Sequence, residues 1–265
     1  MVDISVIMAI HNEPAHLIEL AVRSILAQTK QTFELILCDD ASNAETQVCL
    51  NKLQECDTRI ILCRNEVNQY AGKTRNMGLC IARGRYIAIL DADDYSYPER
   101  LKIQYDFLES HPQYAFVCSD AEIFDGEKVL PSQYHLKPVP EKEDFLWGMP
   151  FVHATVMIRK QYLDQVGGYA ESEVSRRSED YDLFMRLYAA GCKGYNLDRV
   201  LYRYYVNPAL MRKKRLYRYR IDEARIRMQD FKLLGLWPKG FLFAVKPLLV
   251  GLIPHELMWR LKKKQ

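Results

Sequence analysis

The chain has 265 residues, enough for one large α/β domain or for such a domain with an appendage. Hydrophobic residues make up 49% and charged residues 27%, a balance typical of a globular protein with a substantial core, and the net charge is +3. Seven cysteines are scattered, odd in number and never spaced C-x-x-C, which argues against a disulfide framework and against zinc. The N-terminus lacks the charged segment, apolar stretch and small-residue cleavage site of a secreted protein, so we expect a cytoplasmic location.

Strand and helix signals alternate along the first half of the chain. Strands buried on both faces are predicted at residues 4–10, 35–38, 60–63 and 86–90. The helices predicted between them are one capped by Asn12 that starts near Pro14, one capped by Ser42, and one at residues 74–82. Repeated βα units favour an α/β fold with a mostly parallel sheet and flanking helices.

An acidic tetrapeptide, residues 91–94, directly follows the fourth predicted strand. Carboxylates at the end of a buried strand gather where open α/β sheets bind their ligands. Asp91 and Asp93 supply two hard oxygen donors that can hold a divalent cation such as Mg²⁺ or Mn²⁺, and such ions usually carry phosphates. The alternative is an acidic, solvated loop, and Asp94 can simply stabilise the turn.

A second acidic strand end lies at Asp39 and Asp40, and a polar, basic loop separates the two acidic positions. A carboxylate at Asp39 or Asp40 can accept hydrogen bonds from a base or a ribose. Arg75 and Asn76 can contact the base or the pyrophosphate, at the start of a helix whose dipole also favours anions. A lone arginine more often forms a surface salt bridge, but the position of Arg75 between two acidic strand ends favours contact with a ligand.

Two common nucleotide-binding motifs are missing. No G-x-G-x-x-G follows the first strand, which excludes the dinucleotide-binding fingerprint. The segment 72–74 resembles the end of a phosphate-binding P-loop. Val67 stands where that motif needs a glycine, however, and no strand leads directly into the segment, so the P-loop interpretation fails.

The second half of the chain begins with a predicted strand at residues 115–118 and a long irregular connection at residues 125–150. Loops of that length in a compact domain are usually functional or mobile. Strand character returns at residues 151–158, and a short helix closed by a Gly-Gly pair at 167–168 follows. His153 lies within that strand. A lone histidine is more often structural than catalytic, so contact of His153 with acceptor or donor stays open.

A further helix is predicted from Ser178, its cap, to Ala190. Acidic residues near the start of a helix are favoured by the helix dipole, so the dipole alone accounts for their presence here. Asp182 lies one turn before Arg186, so a solvated ion pair accounts for it. Asp180 instead lies on the core-facing side, where a carboxylate needs another reason, and the helix N-terminus should keep it ionised.

Taken together, these motifs resemble the inverting family 2 glycosyltransferases of bacterial polysaccharide synthesis, which have the Rossmann-like GT-A fold. The similar segments follow the same order along residues 4–205. They are residues 5–8 with 11–13, 37–42, 73–78, 90–94 with 98–101, and the pair 179–180. The resemblance implies metal-dependent transfer of a sugar, a hexose or an N-acetylhexosamine, from a nucleotide-diphosphate donor. We expect a UDP-sugar as the donor and a hydroxyl of a glycan or lipid-linked molecule as the acceptor.

The resemblance also implies roles on the donor side. Ala9, Asp40 and Arg75 would surround the nucleotide base. Asp91 would lie near the ribose and also contribute to the metal site, where Asp93 would hold Mn²⁺ or Mg²⁺ bound to the diphosphate. The other expected substrate contacts are Asn12, Glu13, Asp39, Asn76 and His153.

On the acceptor side, the resemblance implies that Asp180 is the catalytic base and that Glu179 positions the acceptor or its partner. Inverting transfer needs such a base to take the proton of the attacking hydroxyl, and a Lewis acid to stabilise the leaving diphosphate. The chain departs from similar enzymes after the strand at 201–205, where many of them place a histidine. That role is left to Arg203, to Tyr205 or to no residue.

The last quarter of the chain differs in composition, so we predict a GT-A domain at residues 1–207 and a basic amphipathic helical region at 208–265. The region lacks an apolar span of about 20 residues, which argues against a transmembrane helix. Basic residues beside Trp, Phe and Leu suit peripheral contact with an anionic surface, on the inner face of the cell membrane. The alternative is a helix packed on the domain or on a partner subunit of a homo-oligomer. No RNA- or DNA-binding motif accompanies the charge, so we expect no nucleic-acid partner.

Two other functions stay open at this point. A nucleotidyltransferase shares a sugar-nucleotide fold and an acidic metal site, but a glycine-rich, basic signature should directly follow its first strand, where this chain has His11. A non-catalytic nucleotide-sugar binding protein would tolerate the loss of Asp180 or Asp93, and this chain retains both.

Overall fold

The computed structural model describes residues 2–130, 136–206 and 217–252. The predicted boundary between residues 207 and 208, the basic run at 212–215 and the basic C-terminal end at 259–264 all lie outside the described residues.

Within the described residues, nine strands form a single sheet. The strands are β1 (Ile4–Ile10), β2 (Phe33–Asp40), β3 (Ile60–Asn65), β4 (Tyr86–Ile89), β5 (Tyr95–Ser96), β6 (Phe116–Phe124), β7 (Val129–Leu130), β8 (Met157–Arg159) and β9 (Gly194–Tyr205). The α-helices are α1 (Ala15–Leu26), α2 (Ala44–Cys56), α3 (Tyr70–Ile81), α4 (Arg100–Ser110), α5 (Lys160–Gln165), α6 (Glu179–Ala189), α7 (Arg218–Leu233) and α8 (Gly240–Gly251).

The strand order in the sheet is β3-β2-β1-β4-β8-β6-β9-β5, with β7 paired to β6. The pairs β2–β3, β1–β2, β1–β4 and β6–β9 are parallel, whereas β8, β5 and β7 are short antiparallel strands. Six of these strands therefore point the same way. The predicted α/β fold, with a mostly parallel central sheet and flanking helices, is confirmed.

The central strands are buried on both faces, which explains their continuous apolar runs. In the sheet register, Ile10 at the end of β1 lies beside Asp39 near the end of β2, and Ile7 lies beside Ile89 at the end of β4. The carboxyl ends of β1, β2 and β4 therefore meet at one edge of the sheet. This is the edge at which parallel α/β sheets bind ligands.

Helix α3 packs unusually close to the sheet because Gly78 lacks a side chain. A Cβ atom at this position would lie 2.7 Å from Sγ of Cys38 and 3.0 Å from Cγ2 of Ile7. The absence of that atom lets the helix approach β1 and β2 directly. Arg75, one turn earlier on α3, is thereby held beside the ligand-binding edge.

The C-terminal helices α7 and α8 pack on each other, and α7 packs on α6. Phe231 of α7 is fully buried, and Arg227 lies over the ring of Tyr181 at 5.0 Å and donates to the carbonyl of Leu146. Close contact between α7 and α8 again depends on a glycine, since a Cβ atom on Gly240 would lie 2.9 Å from Phe231. In the described part of the chain, no helix has both the length and the apolar character needed to cross a membrane.

Two predicted helix caps are wrong. Asn12 has a positive φ of 63° and its side chain accepts a hydrogen bond from Asn43 N–H, while α1 begins only after Pro14. Helix α2 is capped by Asn43, which accepts from the N–H of Thr46, and the Ser42 hydroxyl accepts instead from Asn12 N–H. These residues tie the loop after β1 to the loop after β2.

Three other local predictions need correction. Helix α3 begins at Tyr70, four residues before the predicted start. The strand predicted at 151–158 is shorter, because His153–Thr155 forms a 3₁₀ turn before β8. Asp182 does form an ion pair with Arg186, at 2.7 Å, but its side chain is 2% exposed and the pair is buried rather than solvated. The reason is that α7 packs against α6.

Candidate active site

A cavity of about 360 Å³ opens at the carboxyl ends of β1 and β2. Its walls come from the loop after β1, the start of α3 and the segment leading into α6. The residues that line it include Ala9, Glu13, Asp40, Tyr70, Glu179 and Asp180. Of the predicted donor-side residues, the structure thus brings Ala9, Glu13 and Asp40 together. Burial raises the pKa of Glu13, which also accepts a hydrogen bond from His11 N–H.

Asp40 joins the end of β2 to the start of α3. Its carboxylate accepts hydrogen bonds from the backbone N–H groups of Gln69, at 2.7 Å, and Tyr70, at 2.9 Å, and from the side chain of Asn65 at 2.9 Å. These are first-turn N–H groups that a helix leaves unsatisfied, and a carboxylate also suits the helix dipole. Asp40 therefore fixes the cavity wall that it helps to line.

His11 lines the same cavity and was not among the predicted site residues. Its Nδ1 lies 2.7 Å from the carbonyl oxygen of Asp40, which can only accept, so Nδ1 carries the proton. Nε2 then accepts from the side-chain amides of Asn68 and Asn12, each at 3.0 Å. The ring connects the loops after β1, β2 and β3.

Arg75 links the end of β4 to the start of α6. Its side chain is 8% exposed, and it donates to Asp91 Oδ1 at 3.0 Å and to Glu179 Oε1 at 3.1 Å. Burial alone would lower the pKa of Arg75, but the charges of Asp91, Tyr169 and Glu179 raise it above its ordinary value. A buried, permanently charged guanidinium thus stands between a carboxylate of the acidic tetrapeptide and the first residue of α6.

Asp180 follows Glu179 on α6 and is partly buried between two cavities. Burial and the neighbouring charge of Glu179 raise the pKa of Asp180 to about 6, although Tyr181 N–H and Arg75 act in the opposite direction. The helix N-terminus therefore does not outweigh the effect of burial on this pKa. At pH 7 the group is mostly ionised and has a proton affinity suited to acid–base catalysis.

The second cavity, also about 360 Å³, lies on the other side of Glu179 and Asp180. It is lined by Arg75, Asp91, Met149, Phe151, Val152, His153, Ala154, Glu179, Asp180 and Tyr204. The two cavities thus share only the Glu179–Asp180 pair among the residues that line them. A molecule in either cavity can reach the same pair of carboxylates.

His153 is buried in the wall of this second cavity and lies 2.8 Å from the hydroxyl of Tyr169. Burial, and to a smaller extent the charge of Arg75, lower its pKa well below the ordinary value. His153 is therefore neutral at physiological pH and is a poor proton acceptor. Its structural contact with Tyr169 is established, and any contact with substrate stays a prediction.

Asp39 and Asn76, two predicted substrate contacts, lie in the framework of the site. Asp39 is fully buried; it accepts from Ser42 N–H at 2.9 Å and pairs with Arg64 at 3.2 Å. The Asn76 side chain accepts from the N–H of Tyr169 and donates to its carbonyl, both at 2.9 Å. Asp39 therefore supports the loop after β2, and Asn76 holds the segment that carries the partner of His153.

The chain resembles known proteins along most of its length. Residues 5–168 match Glycosyl transferase family 2. This chain belongs to glycosyl transferase family 2. EpsE of Bacillus subtilis is 36% identical over 268 residues, covering 99% of this chain and 94% of EpsE. WfaP of Escherichia coli, a UDP-Glc:alpha-D-GlcNAc-diphosphoundecaprenol beta-1,3-glucosyltransferase, is 30% identical over 197 residues, covering 74% of each chain.

The fold is also that of a solved protein structure. The crystal structure of S. aureus TarS 1-349 in complex with UDP-GlcNAc superimposes with a TM-score of 0.70 at 20% identity, covering 91% of this chain and 71% of TarS. The GT-A fold predicted from the sequence is confirmed. This family 2 chain is a glycosyltransferase, and the nucleotidyltransferase alternative is thereby excluded.

Family 2 enzymes generally use a divalent metal ion. Among the described residues, no group of three or more His, Cys, Asp or Glu side chains converges as a metal site would. Mg²⁺ in nucleotide sites is usually held by one or two carboxylates, with phosphate and water oxygens completing its shell. Asp91 and Asp93 at the end of β4 have the donor chemistry for that arrangement, so the residues present fit such an ion.

Asp94, by contrast, belongs to the framework. It is 1% exposed and accepts from the Tyr202 hydroxyl at 2.8 Å and from Tyr205 N–H at 2.7 Å, which ties the acidic tetrapeptide to β9. Burial and the charges of Asp91 and Asp93 raise the pKa of Asp94 well above its ordinary value. The suggestion that Asp94 stabilises the turn agrees with these contacts.

The end of β9 is where this family 2 chain lacks the histidine found in many similar enzymes. Arg203 pairs with Glu122 at 2.8 Å and donates to the Tyr97 hydroxyl. Tyr205 contributes its backbone N–H to Asp94, and Tyr204 lines the second cavity. Of Arg203, Tyr204 and Tyr205, Tyr204 alone lines one of the two cavities that meet at Glu179 and Asp180, and its residue type gives no signal for that position.

Two arginines before α6 were also not among the predicted site residues. Arg176 and Arg177 line the first cavity. Arg176 pairs with Glu173 at 2.9 Å and lies 4.2 Å from the centre of the Tyr70 ring, and Arg177 lies over Tyr219. Their place in the run that ends in Glu179-Asp180 is the signal that could have identified them.

Proposed function

We propose that the protein is an inverting glycosyltransferase that moves a sugar from a UDP-linked donor to a hydroxyl of a glycan or lipid-linked acceptor. The observation that carries the proposal is the position of Arg75, which joins Asp91 on the donor side to Glu179, beside Asp180, where two cavities meet. Inversion requires the leaving group and the base on opposite sides of the anomeric carbon. A sugar placed across the Glu179–Asp180 pair would meet that requirement.

The first cavity would take the nucleotide. Asp40 has a carboxylate edge for the base, Tyr70 offers an aromatic ring, and Ala9 leaves room because its side chain is small. Arg176 and Arg177, from the segment before α6, would supply positive charge for the diphosphate. TarS, which shares the fold, has been crystallised with UDP-GlcNAc, and this supports a UDP-linked donor.

Asp180 would act as the base. Its carboxylate would take the proton of the acceptor hydroxyl while that oxygen attacks the anomeric carbon and the bond to the diphosphate breaks. Its raised pKa makes it a stronger base than an ordinary aspartate and leaves it mostly ionised at pH 7. Glu179 would hold Arg75 in place and add the negative charge that keeps the proton affinity of Asp180 high.

Asp91 and Asp93 would hold Mn²⁺ or Mg²⁺, which supplies Lewis-acid stabilisation of the leaving diphosphate. The buried Arg75 keeps Asp91 in position through an ion pair of 3.0 Å. The chain's own residues thus fix the carboxylates before any donor binds, which lowers the cost of reorganisation on binding.

The acceptor would enter the second cavity along its apolar residues Met149, Phe151 and Val152, and Asp91, which lines the same cavity, would mark the part of it that the donor diphosphate reaches. WfaP, at 30% identity, is named as using a diphosphoundecaprenol-linked acceptor and forming a beta linkage. A beta product is the expected result of inversion when the donor is alpha-linked. A step in surface polysaccharide synthesis on a lipid-linked acceptor is therefore the function that fits best.

Calorimetry with UDP-sugars, GDP-sugars and TDP-sugars, each with and without Mn²⁺, tests the donor assignment. We expect UDP-sugar binding that Mn²⁺ strengthens, and we expect Asp93→Ala to lose the Mn²⁺ effect while the exposed control Asp106→Ala keeps it. NMR of the anomeric product tests inversion. Equal binding of all nucleotides, or retention at the anomeric carbon, would overturn the proposal.

A further inference from the structure

Helix α8 presents an apolar face to solvent. Leu242, Leu249 and Leu252 are 72%, 64% and 70% exposed, whereas the residues that pack inward are Gly240, Ala244 and Pro247. A surface helix normally turns its apolar side inward and its polar side outward. Here the small residues face the domain and the large ones face away from it, so packing within the described chain does not account for the leucines. We call Leu242, Leu249 and Leu252 the α8 outer face.

The charged residues in the segment that carries this face are all positive. Between residues 231 and 252 the sequence contains Lys232, Lys239 and Lys246 and no Asp or Glu. All three lysines are exposed. Lys232 lies 4.9 Å from the ring centre of Trp237, and Lys246 lies 5.8 Å from that of Trp147. Exposed leucines with amphipathic indoles and lysines at their edge are the composition of a helix that lies in a lipid headgroup layer.

We propose that the α8 outer face binds an anionic lipid surface. Burial of the leucines in the acyl boundary would supply the hydrophobic contribution, and the three lysines would be attracted to acidic headgroups. A second copy of this chain fits less well, because a symmetric contact through this face would bring like charges together. The positive charge selects an anionic surface over a neutral one.

A contact at Trp147 connects α8 to the segment that lines the second cavity. Trp147, 70% exposed, packs against Phe243 of α8 with ring centres 4.9 Å apart. The chain then runs directly to Met149 and Phe151, which line that cavity. A protein lying on a membrane through α8 would therefore hold the acceptor cavity close to the lipid surface. This step rests on the proposed function, in which the acceptor is lipid-linked.

Sedimentation with vesicles tests the surface in the full chain. The probes are vesicles of phosphatidylcholine alone and of phosphatidylcholine with phosphatidylglycerol. We expect binding to the anionic vesicles. We expect Leu242→Glu combined with Leu249→Glu to weaken that binding by more than about tenfold, because burial of a single leucine side chain already contributes a free energy equivalent to about a tenfold change in affinity. Val48→Glu, at a residue of α2 that is 52% exposed, is the matched control and should bind like the unchanged protein.

Charge removal at the lysines tests the electrostatic part. Replacement of Lys239 and Lys246 by Gln should weaken binding to anionic vesicles about fivefold for each lysine, and added salt should erase that difference. Unchanged vesicle binding by the double leucine variant would overturn the proposal, because another part of the chain would then carry it. So would a dimer in light scattering that the same variant dissociates, since the face would then bind a second copy.

Donor binding separates this inference from the proposed function. The double leucine variant should bind UDP-sugar with unchanged affinity and turn over a water-soluble acceptor analogue normally, but lose turnover on a lipid-linked acceptor in vesicles. Intact donor binding without any vesicle binding by the unchanged protein would overturn the membrane surface alone. Vesicle binding without donor binding would overturn the proposed function and leave the surface standing.

Discussion

Replacement of Asp180 by Asn should remove the catalytic base while leaving the donor site intact. General-base catalysis is worth about 10²- to 10⁴-fold, so turnover should fall by that factor. In the unchanged protein, the pKa of about 6 means that about nine-tenths of Asp180 is ionised at pH 7 and about one-tenth at pH 5. The kcat/KM should therefore fall about tenfold between these two pH values, along a limb centred near pH 6.

The same substitution should stabilise the folded protein. The pKa of Asp180 rises from about 4 in the unfolded chain to about 6 in the folded one, so ionisation above pH 6 disfavours the folded state. The stability that the protonated form provides is fully present below about pH 4 and is lost as pH rises through 6. Two pKa units correspond to about 3 kcal/mol, so Asp180→Asn should raise the free energy of unfolding by up to that amount at pH 7.5. The gain should shrink towards pH 4.

Initial rates of UDP release across pH 5 to 8 measure the first effect, and urea unfolding at pH 7.5 and pH 4 measures the second. Asp164→Asn is the matched control, since its carboxylate is exposed and pairs with Lys160 on α5. Turnover near the unchanged level in Asp180→Asn would refute the assignment of the base. A limb that persists near pH 6 in the residual activity of the variant would show that another group titrates there.

Other predictions concern the packing that supports the site. Gly78→Ala should cost about 1–3 kcal/mol of stability and weaken donor binding, because the added Cβ would press on Cys38 and shift α3. Unfolding and calorimetry measure the two effects. Gly148→Ala is the control and should show neither effect, because no atom lies within 4 Å of the Cβ it would add. Asp230 of α7 is fully buried without a hydrogen-bond partner in the described chain, and burial with the charge of Asp182 raises its pKa to about 7. The stability that protonated Asp230 provides to the folded state is complete below about pH 4 and is lost as pH rises through 7. Asp230→Asn should therefore stabilise the protein by up to about 4 kcal/mol at pH 8 and by little at pH 4. A variant less stable at both pH values would contradict this.

The central sheet could be predicted because strands buried on both faces need continuous apolar residues, and β1 to β4 contain them. Helix starts were harder to predict. Asn12 and Ser42 are good capping residues by type, yet both instead tie loops together across the ends of two strands. The start of α3 depends on Asp40, about 30 residues earlier, which accepts its first N–H groups. A hydrogen bond between distant parts of the chain leaves no local pattern in the sequence.

In the candidate site, too, some features could be predicted from the sequence and others could not. The residue types of Asp91, Arg75 and Asp180 were enough to suggest a charged site, because they recur at strand and helix ends. The burial and the contacts of the charged side chains could not be predicted from the sequence. Asp182 is buried because α7 packs on α6, so the far end of the chain decides which acids of that helix meet water. His11 gave no local signal either, since its orientation depends on a hydrogen bond to the carbonyl of Asp40.

The guanidinium of Arg75 contacts Asp91 and Glu179 at nearly equal distances, 3.0 and 3.1 Å. One cation therefore serves two anions, and neither ion pair has an energy of its own that could be measured by removing one partner. Loss of Asp91 would leave Arg75 wholly to Glu179, and loss of Glu179 would do the reverse, so the double substitution should differ from the sum of the single ones. The donor and acceptor sides are in this sense a single electrostatic unit. Changes made to bind another donor would also change the proton affinity of the base.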